Sequence, residues 1–304
     1  MRIAHLSDLH LLSLEGAVPF RLFNKRITGY VNLRLKRGSQ HKPFAVEAVA
    51  RAIRRLDVDH VVITGDVTNL ALEVEFDLVR RLLLEDLGLP PDAVSMVPGN
   101  HDVYTRGAHR SRRFFRYFEG CLRSDLPDLA DADAGGAFPF VRLRGPVAII
   151  GLSTALPRPP LMASGSLGAG QLRALARVLA HPEVRCRTPV LLQHHPWHNP
   201  PSRTKTLFEG LWDAAEEGHA LREVERGLLL HGHLHRRIHR EVRTERGYLD
   251  AVGATSASLI HPAADRMAGF NVYQFDQSGA VVRLASHRLD AASGAFEDAE
   301  LPRA

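Results

Sequence analysis

His60-Val61-Val62-Ile63-Thr64-Gly65-Asp66 decides how this chain reads. A short apolar run rich in β-branched residues is the pattern of a strand buried on both faces. This one stops on a glycine and then a carboxylate, where a strand hands over to a loop. The same grammar recurs on either side. Ile3 to Leu6 leads into Asp8-Leu9-His10, and Ala93 to Val97 into Gly99-Asn100-His101-Asp102. Pro189 to Gln193 leads into His194-His195-Pro196, and Gly227 to His231 into Gly232-His233-Leu234-His235. Val147 to Leu152 reads as one more buried strand. Between these runs, Phe44 to Leu56, Glu73 to Leu87 and Gln171 to Leu179 carry helical apolar spacing with charged outer faces. Alternation of this kind indicates an α/β fold with helices covering sheets.

Further along, Ile238 to Val242, Tyr248 to Val252, Phe270 to Phe275 and Val281 to Ala285 are strand-like and joined without long helices. They imply a second, more antiparallel sheet, followed from about Ser286 by a loosely held tail. Ala130 to Ala137 suits a surface loop. Residues 1–304 read as a single domain, with no internal repeat or low-complexity tract.

Two cysteines, Cys121 and Cys186, match no metal or redox spacing, which excludes a disulfide scaffold and suggests a reducing compartment. With no secretory signal and no membrane-length apolar run, the expected location is cytoplasmic. A net charge of +5 favours anionic partners. The 20–42 stretch is basic without an acid and interleaved with aromatic and aliphatic residues. It is an insertion beside the first strand's loop, read as a substrate cap or a peripheral contact with anionic lipid. The 106–118 stretch is a second basic-aromatic segment, for which a solvated basic face with aromatics turned to the core is an equal reading.

In open α/β sheets ligands gather beyond the carboxyl ends of the strands, so five strand-end clusters of Asp, Asn and His point to one site. Carboxylate, amide oxygen and imidazole suit Mn, Fe, Co, Ni or Zn, and the lack of thiolate excludes a structural zinc knot. Asp8, His10, Asp66, Asn100, His194, His233 and His235 are too many donors for one open catalytic ion and right for two sharing a carboxylate. Gly65, Gly99 and Gly232 are expected to allow the tight turns that aim the next side chain inward. Two divalent ions less two carboxylates and a bridging hydroxide leave the site positive, which suits a phosphoryl group. Metal-bound water with a pKa near ~7 would be the nucleophile.

The ordered set D-x-H, G-D, G-N-H-D, H and G-H-x-H resembles the calcineurin-like metallophosphoesterase superfamily, over Asp8 to His235. The resemblance implies a four-layer α-β-β-α sandwich with two mixed sheets and a dinuclear metal site at strand-end loops. It implies that Asp8, His10 and His235 hold one metal, Asn100, His194 and His233 the second, and that Asp66 bridges them. His101 would contact the substrate phosphate and assist the leaving oxygen, and Asp102 would orient His101 through a hydrogen bond. Purple acid phosphatases place a tyrosine three residues after the bridging aspartate, where this chain has Asn69. Ser/Thr protein phosphatases read G-N-H-E, where this chain has Asp102. What remains is similar to the bacterial phosphodiesterase branch.

The expected activity is therefore hydrolysis of a phosphodiester of a small molecule, nucleotide or lipid headgroup. A pyrophosphatase on a nucleotide-sugar or lipid-linked diphosphate, a phosphomonoesterase and a non-catalytic metal-binding scaffold stay open as alternatives. Asn69, His195 and His198 are the candidate substrate-binding residues, each with a structural role as the competing reading. His5 and His231 read as structural. No nucleophile elbow or P-loop is present.

Overall fold

The computed structural model describes residues 1–13, 40–131 and 137–303. The proposed insertion at 20–42 therefore lies outside the described residues except for its last three, as does the middle of the 130–137 loop.

Among the described residues, twelve strands form two six-stranded sheets. They are β1 (Arg2–Leu6), β2 (His60–Ile63), β3 (Val94–Met96), β4 (Phe140–Arg144), β5 (Val147–Gly151) and β6 (Thr188–Leu192). The rest are β7 (Arg226–His231), β8 (Ile238–Arg243), β9 (Tyr248–Gly253), β10 (Gly269–Phe275), β11 (Val281–Leu289) and β12 (Phe296–Ala299). The first sheet runs β12-β11-β10-β1-β2-β3 and the second β4-β5-β6-β7-β9-β8. Both are mixed. In the first, β1, β2 and β3 are parallel and β10 to β12 antiparallel. In the second, β5, β6, β7 and β9 are parallel, with β4 and β8 antiparallel at the edges.

The period-2 alternation of β5, β6 and β7 explains the layers. Val147, Ile149, Val190, Leu192, Leu228 and Leu230 join a core with the first sheet's Ile3, Val61 and Val94. The intervening Ala148, Ile150, Leu191 and Leu229 pack instead on Leu175 and Val178 of the Gly168–Ala180 helix. On the other side, Val46, Val49 and Ile53 of the Pro43–Arg55 helix and Phe76 and Val79 of the Glu73–Arg81 helix complete the first core. Helix, sheet, sheet, helix is the resulting order, the four-layer arrangement the resemblance implied.

The C-terminal strands differ from expectation. They form no sheet of their own: β8 and β9 extend the second sheet, and β10 to β12 extend the first. The reason is that β1 and β7 each leave a backbone edge, which β10 and β9 cover. The segment from Ser286 is not a loose tail, because β11 continues to Leu289 and β12 pairs along it from Ser286↔Ala299 to Leu289↔Phe296. In the second basic-aromatic stretch, Phe114 and Phe118 are buried against Phe76, so its aromatics serve the core. Among the described residues no helix is long and apolar enough to cross a membrane.

Candidate metal centre

All five clusters sit at the carboxyl ends of β1, β2, β3, β6 and β7, and the loops are tied to one another through backbone. Asp8 N–H donates to the Gly65 carbonyl at 2.9 Å, and His10 N–H to that of Asp66 at 3.0 Å. Asp8, His10, Asp66, His233 and His235 all adopt left-handed backbone, with φ of 53°, 46°, 50°, 69° and 51°. Such conformations cost of order 1–3 kcal/mol each in non-glycine residues and persist where surrounding contacts over-determine them. Here the contacts are visible. Ser256 Oγ donates to the Asp8 carbonyl at 2.6 Å, His233 N–H to Asp8 Oδ2 at 3.1 Å, and Asn69 Nδ2 to the His10 carbonyl.

The glycines work differently from expectation at two of three positions. Gly65 does turn the chain, at φ +91°. Gly99 and Gly232 are needed for space: a Cβ on Gly99 would strike the Asp66 side chain, and one on Gly232 would strike Ser7 and Asp8.

Donor atoms converge at two points. Asp8 Oδ1 lies 3.1 Å from His235 Nε2 and 3.8 Å from His10 Nε2, and the two Nε2 atoms are 3.1 Å apart. Edges of roughly 3–3.5 Å are what donors about 2.0–2.2 Å from a common ion must show. Asp8 Oδ1 is buried without a hydrogen-bond partner, an arrangement that fits a metal ligand. At the second point, His194 Nε2 is 3.3 Å from Asp66 Oδ2 and 3.2 Å from Asn100 Oδ1. His194 Nδ1 donates to the Thr64 carbonyl at 2.7 Å, and His233 Nε2 to the Glu209 carbonyl at 2.9 Å. A carbonyl only accepts, so these bonds leave His194 Nε2 and His233 Nδ1 unprotonated in the neutral rings, each with a lone pair to offer. Asp66 connects the two points, and its Oδ1 accepts from His101 N–H at 2.7 Å.

Electrostatics follow from crowding. Burial, then the neighbouring imidazoles His41, His235 and His101, push His10 well below its ordinary value. Burial and His194 bring His233 down to about 4. Burial alone would lower His194 as well, but the Asp66 carboxylate beside it prevails and raises it to about 9.

Asp102 does not orient His101. Its carboxylate accepts from Gly99 N–H at 2.9 Å, Thr68 N–H at 2.9 Å, Thr68 Oγ1 at 2.9 Å and Val67 N–H at 3.3 Å. It pins the β2 and β3 loops together. His101 Nδ1 donates instead to the Asn69 carbonyl at 2.7 Å, and its ring stacks on Tyr104 at 5.3 Å. Asn69 is buried and spends its side chain on the His10 loop, so it positions the site from behind and does not line a pocket. His195 is also occupied, by Thr154 Oγ1 at 2.8 Å and the Ala163 carbonyl at 2.7 Å, and backs the His233 ring. His198 packs half-buried against His231, where burial and then Arg240 lower it to about 4. His5, bonded to Tyr273 and Thr64, is structural as expected.

Sequence reasoning passed over His41. Its ring lies 4.9 Å from that of His10 and 5.6 Å from that of His235, with Nδ1 2.7 Å from Ser258 Oγ. Its sequence signal is a histidine next to the end of the basic 20–42 stretch, among many cations. Ser256 and Ser258 carried no motif at all.

Behind His194, Glu217 is wholly buried, and burial pushes it from an ordinary 4.5 up to about 8. Gln193 Nε2 donates to it at 3.3 Å. An acid raised on folding gives stability that is complete below the unfolded value near 4.5 and lost as pH climbs through about 8. Glu217→Gln should therefore match the parent in Tm at pH 4.5 and exceed it by about 5 °C above pH 8, read by calorimetry across pH.

The described geometry has relatives. A dimetal phosphatase from Danio rerio superposes with a TM-score of 0.55 at 15% identity, covering 94% of this chain and 95% of that one. A purple acid phosphatase from yellow lupin seeds superposes with a TM-score of 0.54 at 13% identity, covering 98% of this chain and 52% of that one. At such identities the likeness concerns the fold. No curated protein matches the chain in sequence. The calcineurin-like phosphoesterase family model matches residues 1–237, which contain all five clusters. The Asp and His groups fit that family's dinuclear divalent-metal site. With the match running over most of its length, the chain belongs to the calcineurin-like phosphoesterase family and is a phosphoric ester hydrolase.

Proposed function

We propose that this chain is a phosphodiesterase, acting as one domain over residues 1–304. Asp8, His10 and His235 would hold one divalent ion, Asn100, His194 and His233 a second, and Asp66 both. The observation that carries the reading is the meeting of these donors beside a His101 whose ring is fixed by the Asn69 carbonyl. When bound, two ions supply a water of lowered pKa and positive charge against the phosphoryl oxygens.

The protein's own groups do the rest. Thr64 and Glu209 carbonyls fix the tautomers of His194 and His233. His101 Nε2 meets a phosphoryl oxygen and, when the imidazole carries its second proton, delivers it to the leaving oxygen. Asp102 keeps the His101 loop on the Asp66 loop. A diester is favoured over a monoester by charge. Among the described residues, the main influences on Asp8, Asp66, His194 and His233 after burial are one another and neighbouring histidines, with no described lysine or arginine among them. A singly charged diester needs no such extra cation, whereas a dianionic monoester is normally clamped by one. Free thiols at Cys121 and Cys186 support a cytoplasmic setting.

The test is to strip the protein of metal and titrate it with Mn, Fe(II), Co, Ni or Zn. A chromogenic diester, its monoester and a pyrophosphate are the substrates. Diester turnover should return at two ions per chain and exceed monoester turnover by about tenfold or more. Faster monoester or pyrophosphate hydrolysis would replace the reading with the corresponding alternative. Two bound ions without turnover would mark a scaffold.

A further inference from the structure

Beside His233 the rim of the metal centre is apolar, exposed and edged with cations. Leu161 is 86% exposed, Leu207 50%, Trp212 46% and Phe208 43%. Leu161 also sits at φ +67°, a conformation a leucine rarely adopts. Nothing in the described core needs this side chain in solvent on a left-handed backbone.

These residues form one unit. Leu207 and Phe208 lie on the Arg203–Glu209 helix, and backbone bonds join its end to the 158–166 loop. Ala163 N–H donates to the Phe208 carbonyl at 2.7 Å, Gly165 N–H to that of Gly210 at 2.9 Å, and Trp212 N–H to that of Gly165 at 3.0 Å. The Arg158 guanidinium lies 3.5 Å over the Trp212 ring. On the helix, Arg203 is one turn from Leu207 and Lys205 three residues from Phe208, so exposed cations and exposed apolar side chains share faces. Glu209 is the helix's one acid.

The unit is joined directly to the site. Glu209 lends its carbonyl to His233 Nε2 at 2.9 Å, and Ala163 lends its own to His195 Nε2 at 2.7 Å. The rim therefore borders the second group of donors directly.

We infer that this rim docks on an anionic lipid surface, and that the phosphodiester reaching the site belongs to a lipid in that surface. Leucine, phenylalanine and tryptophan beside arginine and lysine are the composition of segments that lie in the lipid interface. The cations complement anionic headgroups, in line with the chain's net charge of +5. The lipid substrate rests on the phosphodiesterase reading; the docking itself does not.

Metal-loaded protein is sedimented with vesicles of phosphatidylcholine alone and of phosphatidylcholine with phosphatidylglycerol. Partition should favour the mixed vesicles and weaken with salt. The Leu161→Asp, Leu207→Asp double variant should lose about tenfold or more of it. Leu84→Asp, at a leucine 61% exposed elsewhere on the surface, should retain it. Independently of these variants, brominated lipid should quench the parent's tryptophan emission and fail to do so in Trp212→Phe.

Absence of partition to either vesicle, or equal partition of the double variant, would overturn the inference. So would concentration-dependent self-association through these residues without vesicle binding. Partition is read without turnover, so a failed phosphodiesterase reading and a failed docking surface give different results.

Discussion

Asp66→Asn is expected to lower kcat/KM on a phosphodiester by more than about a thousandfold and to bring bound metal below two ions per chain. The substitution keeps the volume and removes the charge. Asp66 Oδ2 faces His194 and Oδ1 accepts from His101 N–H, so this carboxylate touches both a proposed metal donor and the histidine loop. An asparagine oxygen in place of Oδ1 can keep the His101 contact. Its amide nitrogen then faces His194 and cannot coordinate. Metal analysis beside turnover checks this: two ions and full activity in the variant would remove Asp66 from the bridging role.

His101→Ala should separate chemistry from metal binding. A fall in kcat of about 100- to 10,000-fold is expected, with KM and the two-ion stoichiometry little changed. The loss should be greater for an alkyl leaving group, which needs a proton, than for nitrophenolate, which does not. His101 has a ring atom within reach of the donors of His10 and Asp66, so the metal count is the deciding measurement. If it drops with activity, His101 is a ligand and the proton is delivered by another group.

The interior strands and their terminal clusters were legible because strands buried on both faces read as unbroken apolar runs. Glycine then punctuates the exit, as at Gly65 before Asp66. Sheet membership was not legible. β9 and β10 have similar local patterns, and only the long-range pairing of Leu229↔Ala251 and of Ala4↔Val272 assigns them to different sheets. The β12 strand hid behind a polar, exposed edge composition. Within the site, residue types were readable but hydrogen-bond partners were not. Asp102 N–H bonds to the Gly99 carbonyl at 3.2 Å, a tight turn that folds the carboxylate back onto its own loop and away from His101. A motif names the side chains in such a turn without giving their directions. The same limit applies to His41, Ser256 and Ser258, which meet the first donors only because the segment after β9 returns to the β1 loop.

That return bears on how the protein is made. Ala257 N–H donates to the Ser7 carbonyl, and Ser256 Oγ to that of Asp8, so the loop after β1 is held by residues about 250 positions further along. β1 likewise waits for β10 as its second sheet partner. On a ribosome adding about 5–20 residues per second, these partners emerge on the order of tens of seconds after Asp8 and His10. Until then the nascent segment offers a loose carboxylate and imidazole to whatever ion is abundant. The left-handed loop that sets their spacing then has the Gly65 and Asp66 carbonyls to bond to, but not yet Ser256 and Ala257. The proposed metal donors of this loop thus gain their full backbone support only after about 250 further residues have been made.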